Sequence, residues 1–158
     1  MIFKTGEIIM FKWIYSEEIN TEASAEQIWA IWEDVASWPC WDSELEWVEL
    51  SGPFKEGAIG RMKPKKGPTV TFRLDKVIKN VFFSDYTKLP LTHMSFDHEY
   101  ICSKKSGSSD NKIRHSVTMS GLLSPFFGMI IGSKIKLHLR DAMIEMSRRA
   151  LIENKIIS

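Results

Sequence analysis

From Phe11 onward apolar and polar positions alternate, with Phe11, Trp13, Tyr15 and Ile19 on one side of an extended segment, the period of a β-strand. The spacing then changes. Ser24 stands at a helix N-cap position, Gln27 three residues on completes a capping box, and Ile28, Ile31 and Trp32 form one apolar face. Trp38-Pro39 ends this helical stretch, because a proline biases its predecessor out of the α region. Two short helices are therefore expected after the first strand. Six strand-like segments follow, at Glu44–Leu50, Gly57–Lys63, Thr69–Ile78, Val81–Leu89, Thr92–Ser103 and Lys112–Gly121. Their separators are rich in turn residues: Ser51-Gly52-Pro53, Lys65-Lys66-Gly67-Pro68, Lys79-Asn80, Pro90-Leu91 and Ser106 through Asn111. Links this short predict an antiparallel meander, since a parallel crossover needs a dozen or more residues.

At Ser124-Pro125 the period becomes helical, with an N-cap residue followed by proline at the first helical position. Phe127, Ile131, Ile135, Leu139, Ala142, Met146 and Ala150 then form a stripe, while Lys136, Arg140, Glu145, Arg148 and Arg149 fall mostly off it. Only the sheet is large enough to cover that stripe. The expected fold class is α+β in the order β-α-α-β6-α, as one domain over residues 11–155. Residues 1–10 are expected to be an N-terminal extension, with Met10 a second candidate start.

Composition changes this picture little. With 158 residues, 44% hydrophobic and 26% charged, the chain reads as a soluble domain with a real core. A net charge of +1 gives no general reason to expect nucleic acid or an anionic membrane as partner. Cys40 and Cys102 form no Cys-x-x-Cys or Cys/His metal spacing, and a reducing cytoplasm is the compartment expected. The N-terminus shows no signal peptide, and the apolar stretch Phe126–Ile131 is far shorter than the ~20 residues of a membrane span. There is no glycine-rich phosphate loop, no Gly-x-Ser-x-Gly and no His-Glu-x-x-His. Neither a cofactor nor a metal is expected. All six tryptophans lie between Trp13 and Trp47, four of them from Trp29 to Trp41. Core packing is the expectation for this cluster, with an aromatic ligand cage as the alternative.

Ala23-Ser24-Ala25-Glu26-Gln27-Ile28-Trp29, followed by Asp34-Val35-Ala36-Ser37-Trp38-Pro39-Cys40-Trp41, resembles the START-like helix-grip superfamily (SRPBCC), and within it the bacterial polyketide cyclase/dehydrase-like branch. Gly57-Ala58-Ile59-Gly60, Met94-Ser95-Phe96-Asp97-His98 and His115 through Gly121 agree with this, so that the resemblance runs from about Trp13 to Ala150. It implies a seven-stranded curved antiparallel sheet wrapped around a long C-terminal helix, with a deep cavity between them. Members of the superfamily include lipid carriers, hormone receptors and aromatic polyketide cyclases, and fold alone does not choose among them.

Strand alternation nominates the cavity wall. One face of Thr92–Ser103 carries Met94, Phe96, His98, Tyr100 and Cys102, and one face of Lys112–Gly121 carries Ile113, His115, Val117 and Met119. A hairpin centred near Ser106-Gly107 sets His98 opposite His115. Pairing around Pro90-Leu91 sets Phe83 opposite His98, Asp85 opposite Phe96 and Thr87 opposite Met94. The expected ligand cavity is lined by Trp47, Phe72, Phe83, Thr87, Met94, Phe96, His98, Tyr100, His115, Val117, Met119, Ile131 and Ile135. Asp85, His98 and His115 are the candidate acid/base residues. The expected function is binding or transport of a small hydrophobic molecule. The alternative is a cofactor-independent cyclase, dehydratase or isomerase acting on a polyketide-like carbonyl compound. A docking module for another protein is a third reading, and oligomeric state is left open.

Overall fold

The structure is a computed structural model that describes residues 11–103 and 110–153. The extension expected over residues 1–10 and the tip of the hairpin near Ser106-Gly107 lie outside the described residues. Strand β1 (Phe11–Thr21) leads into helix α1 (Ala25–Glu33) and a 3-10 helix (Val35–Cys40). Strands β2 (Leu45–Ser51), β3 (Ile59–Pro64), β4 (Val70–Ile78), β5 (Phe82–Leu89), β6 (Thr92–Ile101) and β7 (Asn111–Gly121) follow. The chain then enters α2 (Ser124–Phe127), a π-helical turn (Gly128–Gly132) and α3 (Ser133–Glu153).

The seven strands form one curved antiparallel sheet in the order β1-β7-β6-β5-β4-β3-β2, the meander closed by β1 against β7. Local chemistry accounts for the two helices between β1 and β2. The capping box forms as expected: Gln27 N donates to Ser24 Oγ at 3.2 Å and Ser24 N donates to Gln27 Oε1 at 2.8 Å. Helix α1 ends at Glu33, five residues ahead of the expected stop at Trp38, and Pro39 sits inside the 3-10 helix.

The core lies on the concave face, under α1, the 3-10 helix and the second half of α3. Leu139, Ala142, Met146 and Ala150 of the expected stripe are buried, with Met143 and Ser147 beside them. Ser147 Oγ and Thr21 Oγ1 share a buried hydrogen bond of 2.6 Å that ties α3 to the end of β1. At its other end the helix is brought close to β1 by absent side chains. A Cβ on Gly128 or Gly132 would fall 2.6 or 2.4 Å from the Trp13 ring, so the indole lies directly on the π turn. On the convex face, toward the end of β1, Glu18 bridges Lys112 and Arg114 at 2.8 Å each.

Two sequence expectations are corrected. Trp47 does not face the concave side: a bulge between Leu45 and Trp47 inserts one residue and inverts the alternation. Val48 and Leu50 therefore face inward opposite Met62 and Gly60, while Trp47 joins Arg61 on the convex side, with the guanidinium 6.0 Å from its ring centre. Cys102 does not continue the inward face expected over Thr92–Ser103, since β6 ends at Ile101 and the thiol is exposed.

Candidate functional site

The hairpin pairings place the candidate residues in rows across the concave face. His98 is opposite His115 and Phe83, Phe96 is opposite Asp85 and Val117, and Met94 is opposite Thr87 and Met119. Phe72 extends the last row, opposite Thr87 and lying over Gly60. Tyr100 belongs to the same face but turns away from these rows, donating from its hydroxyl to Ala23 O at 2.9 Å. On β1 the pairing adds Glu17 opposite His115 and Tyr15 opposite Val117.

One end of this face is filled by aromatic rings. Trp32 makes edge contacts with Phe83 and His98, at centroid separations of 5.4 and 6.1 Å, and a tilted one with His115 at 6.1 Å. Trp38 lies over Phe72 and Phe83, and its own indole N–H donates to Trp32 O at 3.0 Å. His98 is stacked between Phe83 and Phe96, at 4.0 and 4.7 Å, and meets His115 edge to face at 4.4 Å. The tryptophan run thus supplies the lid of the deep end, where the resemblance implied open space.

The other end is accessible. Met94 and Phe96 sit on β6, an interior strand, yet both are only partly buried, as are Tyr15 on β1 and Ile131 and Ile135 across from them. The residues around this floor are more deeply buried: Thr87, His115, Val117 and Met119 are almost wholly enclosed. Solvent therefore reaches the middle of the sheet beneath the start of the C-terminal helix.

The polar groups bordering that floor are short of partners. Thr87 Oγ1, Thr92 Oγ1, His98 Nδ1 and His115 Nε2 are buried and have no hydrogen-bond partner among the described residues. Buried polar atoms are nearly always satisfied, so four on one wall require an explanation. The same burial sets the charge state. Desolvation, with a smaller push from Asp97, raises Asp85 to about 8. Desolvation lowers His115 to about 3, and desolvation together with the neighbouring His115 lowers His98 well below its ordinary value. At neutral pH the cluster is uncharged: a protonated carboxyl, two neutral imidazoles and two hydroxyls.

Glu17 is a residue the sequence reading passed over. It accepts from the Tyr15 hydroxyl at 2.8 Å and from Arg140 Nη1 at 2.7 Å, joining β1 to α3 beside the accessible floor. The Tyr15 hydrogen bond, with help from Arg140, holds its carboxyl below the usual range. Its inward position was implied by the alternation of Trp13, Tyr15 and Ile19. A separate open crevice of about 470 Å³, lined by Asp34, Val35, Val48, Leu50 and Phe54 among others, lies beyond the end of α1 and includes none of the candidate residues.

No family model and no curated protein matches the chain. Solved structures do. Norcoclaurine synthase from Thalictrum flavum, in complex with dopamine and hydroxybenzaldehyde, superposes with a TM-score of 0.66 at 16% identity, over 96% of each chain. Ara h 8.0201 gives 0.63 at 14% identity, over 89% of this chain and 99% of its own. The Zhui aromatase/cyclase from Streptomyces sp. R1128 gives 0.67 at 12%, over 89% of this chain and 94% of its own. The fold is the helix grip. At these identities the likeness establishes architecture, which agrees with the resemblance read from the sequence.

Proposed function

We propose that this helix-grip protein binds a small, uncharged, mainly apolar molecule between β6 and the start of the C-terminal helix. The observation that carries the reading is the set of four unpartnered buried polar atoms beside the partly exposed Met94 and Phe96. An apolar surface with a few placed polar groups is the usual form of a small-molecule site. Thr87, His98 and His115 would hydrogen-bond one or two carbonyl or hydroxyl groups, and the protonated Asp85 adds a donor. An anionic ligand is disfavoured, because a net charge buried against Thr87, His98 and His115 meets only neutral groups there; the nearby Arg140 is already engaged by Glu17 at 2.7 Å, and Lys136 lies over the Trp13 and Tyr15 rings.

Calorimetric titration with 2-naphthol and 2-naphthoate at pH 7 tests this. The neutral alcohol should bind at least about tenfold more tightly than the carboxylate, because desolvating an unpaired charge costs more than the one hydrogen bond gained. Equal affinities, the reverse order, or no binding of either compound would overturn the reading.

Asp85 favours a second reading. A carboxyl raised to about 8 is poised to exchange a proton near neutral pH, as a cyclase or dehydratase of a carbonyl substrate requires. His115, at about 3, is too weak a base for that task. The Zhui protein, an aromatase/cyclase, has this fold. If turnover of a carbonyl compound is found, Asp85→Asn should abolish it and leave binding within a few fold.

A further inference from the structure

The antiparallel order brings several chain segments to one end of the sheet: the start of β1, the β3–β4 and β5–β6 turns, and the end of β7 with α2 and the π turn behind it. Phe11 and Thr92 both pair with Gly121, and the main chain of Leu91 lies against that glycine. Large apolar side chains are exposed along this end: Phe11 44%, Leu91 67%, Leu122 53%, Phe126 49%, Met129 71% and Ile130 46%. Leu91 holds a φ of 50°, where glycine or asparagine fits with less strain, and still presents a leucine to solvent. Scattered exposed apolar side chains need no explanation, but six at one rim form a patch.

Basic side chains predominate around the patch. Lys12, Lys88, Lys134 and Lys136 border it, and the basic turn with Lys65 and Lys66 lies at the same end of the sheet. No Asp or Glu occurs in residues 11–16, 86–96 or 117–140. Glu44, near the basic turn, lies 3.5 Å from His138. Lys12, Lys88 and Lys134 enter no ion pair among the described residues. The chain's near-zero net charge conceals this asymmetry.

We propose that this end of the molecule docks on the surface of an anionic lipid bilayer, with Phe126, Met129 and Ile130 entering the headgroup boundary and the lysines facing the lipid phosphates. An apolar stripe beside lysines, on a segment too short to span, is the pattern of interfacial binding. Among the described residues no helix is long and apolar enough to cross a membrane. The inference stands independently of the ligand proposed above, since neither Met129 nor Lys134 lines the concave face.

Cosedimentation of the full chain with vesicles tests it, using phosphatidylcholine alone and phosphatidylcholine with a third of phosphatidylglycerol. Binding should require the anionic lipid. Each lysine near such a surface is worth about fivefold in affinity, so Lys12→Gln with Lys134→Gln should weaken binding by about 25-fold. Met129→Ser with Ile130→Ser, both at exposed positions, should weaken it by at least about tenfold without altering the circular dichroism spectrum. Equal binding to neutral vesicles, or binding to neither kind, overturns the proposal. So does a dimer in solution that the Met129/Ile130 pair of changes dissolves, which would give the patch to a second copy. Vesicle binding seen only after removal of residues 1–10 would overturn it too, assigning the patch to that segment.

Discussion

Replacing Asp85 by Asn should stabilise the protein at neutral pH and flatten its stability above pH 6.5. The carboxyl is 5% exposed, and burial raises it from 3.8 to about 8. Between these values the folded chain keeps a proton that the unfolded chain releases. Stability is therefore full below the unfolded value and falls by about 1.4 kcal/mol per pH unit until the folded value is reached. At pH 7 the accumulated loss is roughly 4 kcal/mol. Asn mimics the protonated carboxyl and does not titrate, so the variant should recover most of that loss. His98 and His115 act with the opposite sign. Both are depressed, so their contribution is present above pH 6.5 and is lost as pH falls toward the folded values. Two imidazoles outweigh one carboxyl below 6.5, and only the carboxyl acts between 6.5 and 8, which gives the cluster a stability maximum near pH 6.5. Urea midpoints followed by tryptophan fluorescence from pH 5 to 9 provide the assay. The difference between Asp85→Asn and the parent cancels the titrating groups that do not interact with Asp85, its neighbour Asp97 being the exception, and should grow by about 1.4 kcal/mol per unit, levelling near pH 8. A difference that stays constant across pH 6 to 8 would refute the claim that Asp85 is neutral in the fold.

Other substitutions probe the rest of the architecture. Trp38→Ala should cost about 3–5 kcal/mol in chemical denaturation, because it removes the ring packed over Phe72 and Phe83. It should also admit ligands one aromatic ring larger than the parent accepts. Gly132→Ala puts a methyl 2.4 Å from the Trp13 ring and should lower thermal stability by about 1–3 kcal/mol, whereas an unchanged melting temperature would show that the π turn yields freely. Ser24→Ala removes the cap from Gln27 N and should cost about 1 kcal/mol, and Ser24→Gly less, in the same measurement.

The central pairings could be read ahead of the structure because two hairpins have arms of equal length about recognisable turns. Symmetry about Pro90-Leu91 and about Ser106-Gly107 is enough to set Phe83, His98 and His115 in one row. Trp47 was misplaced because a β-bulge adds a residue with no turn chemistry to announce it. The lid over the deep end was not legible either: the period of Ile28, Ile31 and Trp32 shows that a face is buried, but which strand residues it meets depends on how α1 docks. Glu17 lay in plain alternation with Trp13 and Tyr15, but its partner Arg140 is 123 residues away. Only the packing of α3 against β1 joins them.

Native mass spectrometry of gently purified protein, beside a denatured control, tests the central claim most directly. One small neutral molecule per chain should be retained in the native spectrum and released on denaturation, with retention weakened by Thr87→Val. A protein that keeps its bare mass from every source, and after incubation with neutral aromatic alcohols and ketones, would contradict it.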